Sequence, residues 1–332
     1  MYVSPGTPFF RTGYYEREQL RRTASGVSWT ALVGIFLMSI VFPGLGELFL
    51  YAVNFRFSAD TSFSGLPPVL YYLMLGFGYV AGLAVPAFVY FSARRVPLSE
   101  GLPFHAVPVG DAVLYIALGC MVCMLANYPA NLVAQLQERF GFSGTLPESP
   151  LTNDPAVIAL YGLCVVVIPP LVEEIMFRGV VLQSLRRYGD GFAVLVSAIL
   201  FGLYHGNLIQ IVFAFLSGLA LGFVAVRTNS LLPSMLIHCL NNGVSYAVEM
   251  VERFYGQNAA NYGNTIISIT IIVLGLGSLF VLAAQHKLFA GRRSAPALPL
   301  STRMGAAFGN SGAVIFILYA AAMSVRTLYH VG

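Results

Sequence analysis

Of the 332 residues, 57% are hydrophobic and 10% are charged, and the mean hydropathy is +0.76. A soluble domain carries about 25% charged residues, so the composition excludes a soluble globular fold and indicates a multi-spanning membrane protein. The net charge of +4 comes from basic residues scattered among loops, without the contiguous basic face that nucleic-acid binding requires.

Residues 1–28 are polar and aromatic, with Arg11, Arg17, Arg21 and Arg22. They are expected to form a cytoplasmic segment, with 15–23 lying as a short helix along the interface. No cleavable signal peptide is expected, because the first apolar run is too long and starts too late. That run, about 29–53, is the first span. It should bend near Glu47, which follows Pro43, Gly44 and Gly46 and reads as a residue facing a polar cleft or capping a broken helix. Spans two and three cover about 67–93 and 111–133, and 135–154 is a polar loop. The fourth span starts near Pro155 and contains Pro169 and Pro170, which remove helix hydrogen bonds and bend the chain. Spans five to eight fall at about 192–204, 208–226, 232–249 and 265–284. A basic loop at 285–303 precedes a ninth candidate span at 305–324, rich in Gly and Ala.

The expected fold is therefore all-α, a polytopic transmembrane bundle of eight or nine spans forming one domain over 29–332. Helices satisfy every backbone group within lipid, and the alternating pattern of a β-barrel is absent. With the N-terminus cytoplasmic, 13 of the 18 basic residues fall on inner segments, among them Arg94, Arg95, Arg186, Arg187, Arg292 and Arg293. Only Arg56, Arg139, Arg253 and Arg326 fall outside. By the positive-inside rule this predicts a multi-pass protein of the cell membrane, or of the endoplasmic reticulum in a eukaryote. Cys120, Cys123, Cys164 and Cys239 all sit in apolar runs and read as small buried hydrophobes. The Cys120-Met-Val-Cys123 spacing lacks the strand-then-helix setting of a redox motif.

Ionisable residues within spans four to seven form a short set: Glu173, Glu174, Arg178, His205 and His238, with Asn241 and Asn242 beside them. Charges at that depth are expensive and usually have partners or a task. Glu174 and Arg178, four apart, share a helix face and can pair, whereas Glu173 is rotated by about 100°. One carboxylate is thus neutralised and the other stays available as a general base. Phe201 and His205 share a face, and Gly202 and Gly206 permit close approach of another helix. His238 and Asn242 share a face of span seven and could hold an oxyanion, whereas Asn241 lies off it and should pair locally. Together these residues are equipped for amide hydrolysis by water held between Glu173 and His205. Depth fits imperfectly: counted from the inner ends, Glu173 and His205 lie about 20 Å deep and His238 about 12 Å.

Glu173-Glu174-x-x-x-Arg178, Phe201-x-x-x-His205 and His238-x-x-x-Asn242 resemble the three motifs of the CPBP family. That family comprises the CAAX prenyl proteases of the Rce1 type and bacterial proteins linked to bacteriocin processing and self-immunity. The resemblance covers about 156–248, and Gly206-Asn207 with Asn229-Ser-Leu-Leu-Pro233 suggests the bacterial branch. It implies a glutamate-dependent intramembrane endopeptidase whose site is reached from the cytosolic side. Glu173 and His205 would activate water, His238 and Asn242 would stabilise the oxyanion, and Glu174 with Arg178 would support them. A ninth span would depart from the eight of better-known members. No cofactor is implied. Zinc is a minority reading, since Glu, His and His suit it but His-Glu-x-x-His is absent. The expected partners are membrane lipids and a peptide or protein substrate at the membrane, prenylated or leader-bearing, with no nucleic acid. The competing readings are a non-catalytic immunity or scaffold protein and an ion-coupled transporter, the latter disfavoured because no inverted repeat is found.

Overall fold

The structure, a computed structural model, describes residues 8–58, 62–144, 149–288 and 298–330. Arg292 and Arg293 of the expected basic loop lie outside them, as do residues 1–7, residues 145–148 of the expected polar loop, and the side chain of Arg11. Helix α1 (Pro8–Phe36) passes through a π-helical stretch (Leu37–Val41) into α2 (Phe42–Ala52). Then come α3 (Pro68–Arg94), the single turn α4 (Leu98–Gly101) and α5 (Val109–Arg139). The next long helix is composite: α6 (Pro155–Gly162), a π stretch (Leu163–Val167), α7 (Ile168–Glu174) and a second π stretch (Ile175–Gln183). It is followed by α8 (Asp190–Tyr204), α9 (Leu208–Thr228), α10 (Leu231–Tyr255), α11 (Gln257–Ala284), α12 (Leu300–Phe308) and α13 (Ser311–Arg326). Among the described residues the only strands are β1 (Phe142–Ser143) and β2 (Tyr329–His330), paired antiparallel.

The fold is all-α and polytopic, as the composition requires. By length and apolar character, six helices among the described residues can cross a membrane, and the bent pair α12–α13 would make a seventh. The expected eight or nine would also need α8, short at 15 residues, and α10, whose length carries His238, Asn241, Asn242 and Glu249. The exterior fits a lipid surround: Phe77, Val89, Ile266 and Phe280 are each at least 60% exposed. The centre is the second half of the composite helix, where Met176, Phe177, Val180, Val181 and Leu182 are fully buried.

Two expectations near the N-terminus need correction. Residues 15–23 do not form a separate interfacial helix but belong to α1, which continues into the first span. Leu20, Ala24, Val27 and Ala31, spaced along one helical stripe, are buried where α1 packs on α3, α12 and α13. The irregularity in the first span lies earlier than the bend expected near Glu47: it is the π stretch Leu37–Val41, within one continuous span, and Glu47 lies exposed on α2 instead of facing a cleft.

Two small residues set the helix spacing beside the site. A Cβ at Gly202 would stand 2.9 Å from the Ile211 carbonyl oxygen and 3.1 Å from Phe215 Cβ, so α8 and α9 touch there. Gly206 follows α8 with φ +60°, and a Cβ on it would lie 2.8 Å from Met323 Cβ of α13. Both close approaches were expected of these glycines. The 71° bend between α12 and α13 is held by one side chain. Asn310 donates to the Ala307 carbonyl at 2.7 Å and accepts from Ala313 N at 3.0 Å, closing one helix and capping the next. With Arg303 donating to the Tyr188 carbonyl and Met323 beside Gly206, the bent pair runs the length of α8.

Gly202→Val should force α8 and α9 apart and lower stability by about 1–3 kcal/mol through overpacking. The readout is the thermal unfolding midpoint in detergent, and an unchanged midpoint would contradict so close a contact.

Candidate active site

The site begins with two prolines. Pro169 and Pro170 have no backbone N–H, so the Val165 carbonyl receives no donor at either i+4 or i+5. Asn242 of α10 supplies one, its Nδ2 donating to Val165 O at 2.9 Å. The π stretch Leu163–Val167 around that carbonyl also turns Cys164 and Val165 toward a cavity of about 380 Å³. Glu173, His205, His238 and Asn242, drawn from three separate helical segments, all line this cavity. Asn241 lines it as well and pairs with its neighbour as expected, donating Nδ2 to Asn242 Oδ1 at 3.3 Å.

Glu174 and Arg178 pair as their spacing predicts, at 2.9 Å and with neither side chain exposed. The guanidinium also donates to the Gly218 carbonyl at 3.4 Å and lies over the Phe201 ring, 4.3 Å from its centroid. Phe201 is thus a plate between the guanidinium and two imidazoles, which both meet it edge-to-face, His205 at 5.0 Å and His238 at 5.7 Å.

The clean division of the two glutamates holds only in part. His238 Nδ1 is 3.2 Å from Glu174 Oε1, the same oxygen that pairs with Arg178, and its Nε2 is 3.7 Å from Glu173 Oε2. A carboxylate accepts, so Nδ1 carries the proton toward Glu174 and Nε2 faces Glu173 and the cavity. His238 therefore ties the two carboxylates together instead of standing apart with Asn242. The expected difference in depth narrows because nine residues of the composite helix, Ile175–Gln183, are π-wound, and i→i+5 winding takes more residues per turn.

His205 Nδ1 lies 2.9 Å from the Phe201 carbonyl. The carbonyl can only accept, so Nδ1 is the protonated nitrogen and Nε2 of a neutral ring is left as an acceptor. Among the described residues no hydrogen bond reaches that Nε2.

Two groups at the site were missed by the sequence reading. The Tyr79 hydroxyl of α3 donates to Glu173 Oε1, and Tyr204 of α8 donates to Tyr79 at 3.1 Å. Met38, in the first π stretch, places its sulfur 3.5 Å from the Tyr204 hydroxyl. A tyrosine in an apolar span resembles an interfacial aromatic. The available signal was its need for a hydrogen-bond partner once buried. Asn207 starts α9: its Oδ1 caps the helix at Ile209 N and Gln210 N, while its Nδ2 donates to the Gly144 carbonyl. Among the described residues there is no group of three or more His, Cys, Asp or Glu able to hold a metal ion.

Arg178→Met would leave the buried Glu174 charge without its cation and should destabilise the protein by about 3–5 kcal/mol. Adding Glu174→Gln should recover more than half of that loss in thermal unfolding. Wild-type stability for the single variant would show that the pair does not hold the bundle.

Glu173, His205, His238 and Asn242 all fall within one matched segment. Residues 155–244 match the family model of the Rce1-like type II CAAX prenyl endopeptidases. No curated protein and no solved structure matches the chain. Residues 155–244 of this multi-pass helical membrane protein are thus an Rce1-like segment, the membrane-protease family to which the Glu-Glu-x-x-x-Arg, Phe-x-x-x-His and His-x-x-x-Asn motifs pointed.

Proposed function

We propose that the protein is a membrane-embedded endopeptidase that adds water directly to a peptide bond of a membrane-associated substrate, prenylated or leader-bearing. The observation that carries the reading is the convergence of Glu173, His205, His238 and Asn242 on one cavity inside an apolar bundle. Tyr79 occupies Glu173 Oε1, which leaves Oε2 as the base. A water between Glu173 Oε2 and His205 Nε2 can donate to both, because the tautomer of His205 leaves Nε2 able to accept. Glu173 takes one proton as the oxygen attacks the carbonyl carbon.

The oxyanion that forms needs donors. Asn242 has two Nδ2 protons, one held by Val165 O and the other available to the cavity. His238 provides the second donor when Nε2 is protonated, its Nδ1–H remaining on Glu174. On collapse, the proton on Glu173 passes to the leaving amine, so the cycle closes without a covalent intermediate. Glu174 and Arg178 position His238 and Phe201 and do not touch the substrate. The distribution of basic residues supports a cytoplasmic N-terminus.

In proteoliposomes, Glu173→Gln should lower turnover about 10²–10⁴-fold, the range of a general base. Asn242→Ala should lower it about 10²–10³-fold, the range of an oxyanion donor. Dialysis against a strong chelator should leave turnover unchanged. Wild-type turnover in Glu173→Gln overturns the mechanism, and a chelator-induced loss restored by zinc overturns its metal independence.

A further inference from the structure

A second cavity, of about 770 Å³, lies at the opposite end of the composite helix and shares no lining residue with the Glu173 cavity. α1, the end of α3, α4, the chain at 103–105 and the turn at Asn229 enclose it. Four arginines line it, Arg22, Arg94, Arg186 and Arg187, against one carboxylate, Glu100. Two of the four are already engaged. Arg22 pairs with Glu18 at 3.0 Å, and Arg186 is held by Asp190 at 3.0 Å and by Asn229.

The other two lie beside tyrosine rings instead of acids. The Arg94 guanidinium lies 5.8 Å from the Tyr90 ring centroid and close over Gly26, where a Cβ would come within 2.8 Å of its Nη2. The Arg187 guanidinium lies 4.7 Å from the Tyr188 ring centroid. Among the described residues neither makes an ion pair or a hydrogen bond. Ring stacking holds a guanidinium through its face and leaves its in-plane N–H donors free for an anion. The rim is apolar as well: Leu98 and Phe104, beside Ser99 and His105, are more than half exposed. A diffusible anion has no use for such a rim, whereas an acylated one does.

We propose that this cavity binds the phosphate of an anionic phospholipid, with Arg94 and Arg187 gripping the headgroup and the acyl chains lying along Leu98 and Phe104. The cavity lies where the basic helix ends gather, and basic pockets between helix ends are suited to anionic headgroups. The site is independent of the hydrolytic one.

The test uses the full-length protein in detergent and native mass spectrometry with added phosphatidylglycerol, phosphatidylcholine or inorganic phosphate. Phosphatidylglycerol should bind the wild type in preference to phosphatidylcholine. Losing one guanidinium should weaken it about fivefold, and losing both in Arg94→Gln/Arg187→Gln about thirtyfold. Arg17→Gln, an exposed arginine outside the cavity, should bind as the wild type does. Arg94→Lys, which keeps the charge, should lose less than Arg94→Gln, and that comparison stands even if the double variant does not fold. Undiminished phosphatidylglycerol binding by both single glutamine variants, or equal binding of the two lipids, overturns the proposal. Binding of inorganic phosphate as tight as that of phosphatidylglycerol would identify free phosphate as the ligand and overturn the lipid assignment.

Discussion

The Glu174 carboxylate is fully buried, and the site is arranged around its Oε1. Arg178 meets it from the next helical turn and His238 meets it from α10. A buried charge left without a partner costs several kcal/mol, so the His238 contact fixes the composite helix against α10 in one register. Everything placed relative to His238 inherits that register, including Glu173, 3.7 Å from its Nε2, and Asn242, one turn further along α10. Phe201 completes the arrangement by covering the guanidinium with its face and meeting both imidazoles.

Irregular helix geometry is the second constraint. Each of the three π stretches among the described residues lies beside the site and delivers something to it. Leu37–Val41 brings Met38 to Tyr204, Leu163–Val167 presents the carbonyl that holds Asn242, and Ile175–Gln183 contains Arg178. Two prolines explain the second stretch, because a carbonyl facing Pro169 and Pro170 must look outside its own helix for a donor. The helix then depends on a side chain from α10, so backbone repair and placement of a site residue are one interaction.

Much of this could be read from the chain because the information is local. Four-residue spacing paired Glu174 with Arg178 and put His238 with Asn242 on one face, and apolar runs located α3, α8 and α9 to within two residues at each end. What could not be read depends on the axial level of one helix against another. The contact of His238 with both glutamates depends on the π winding of Ile175–Gln183, which leaves no pattern in composition. Tyr79 was missed because its partner, Glu173, is 94 residues away in the chain. The short interfacial helix expected near the N-terminus failed for a related reason: polar residues there cover one face, while Leu20, Ala24 and Val27 bury the other against α12 and α13.

The central claim is that Glu173 takes the proton from the attacking water. It is tested most directly by comparing the membrane peptidomes of cells producing the wild-type protein and cells producing Glu173→Gln at equal membrane levels. A set of cleaved peptides should be present with the wild type and missing with the variant, and those peptides would name the substrate. Cleavage products that persist undiminished with Glu173→Gln, or two peptidomes that coincide, would contradict it.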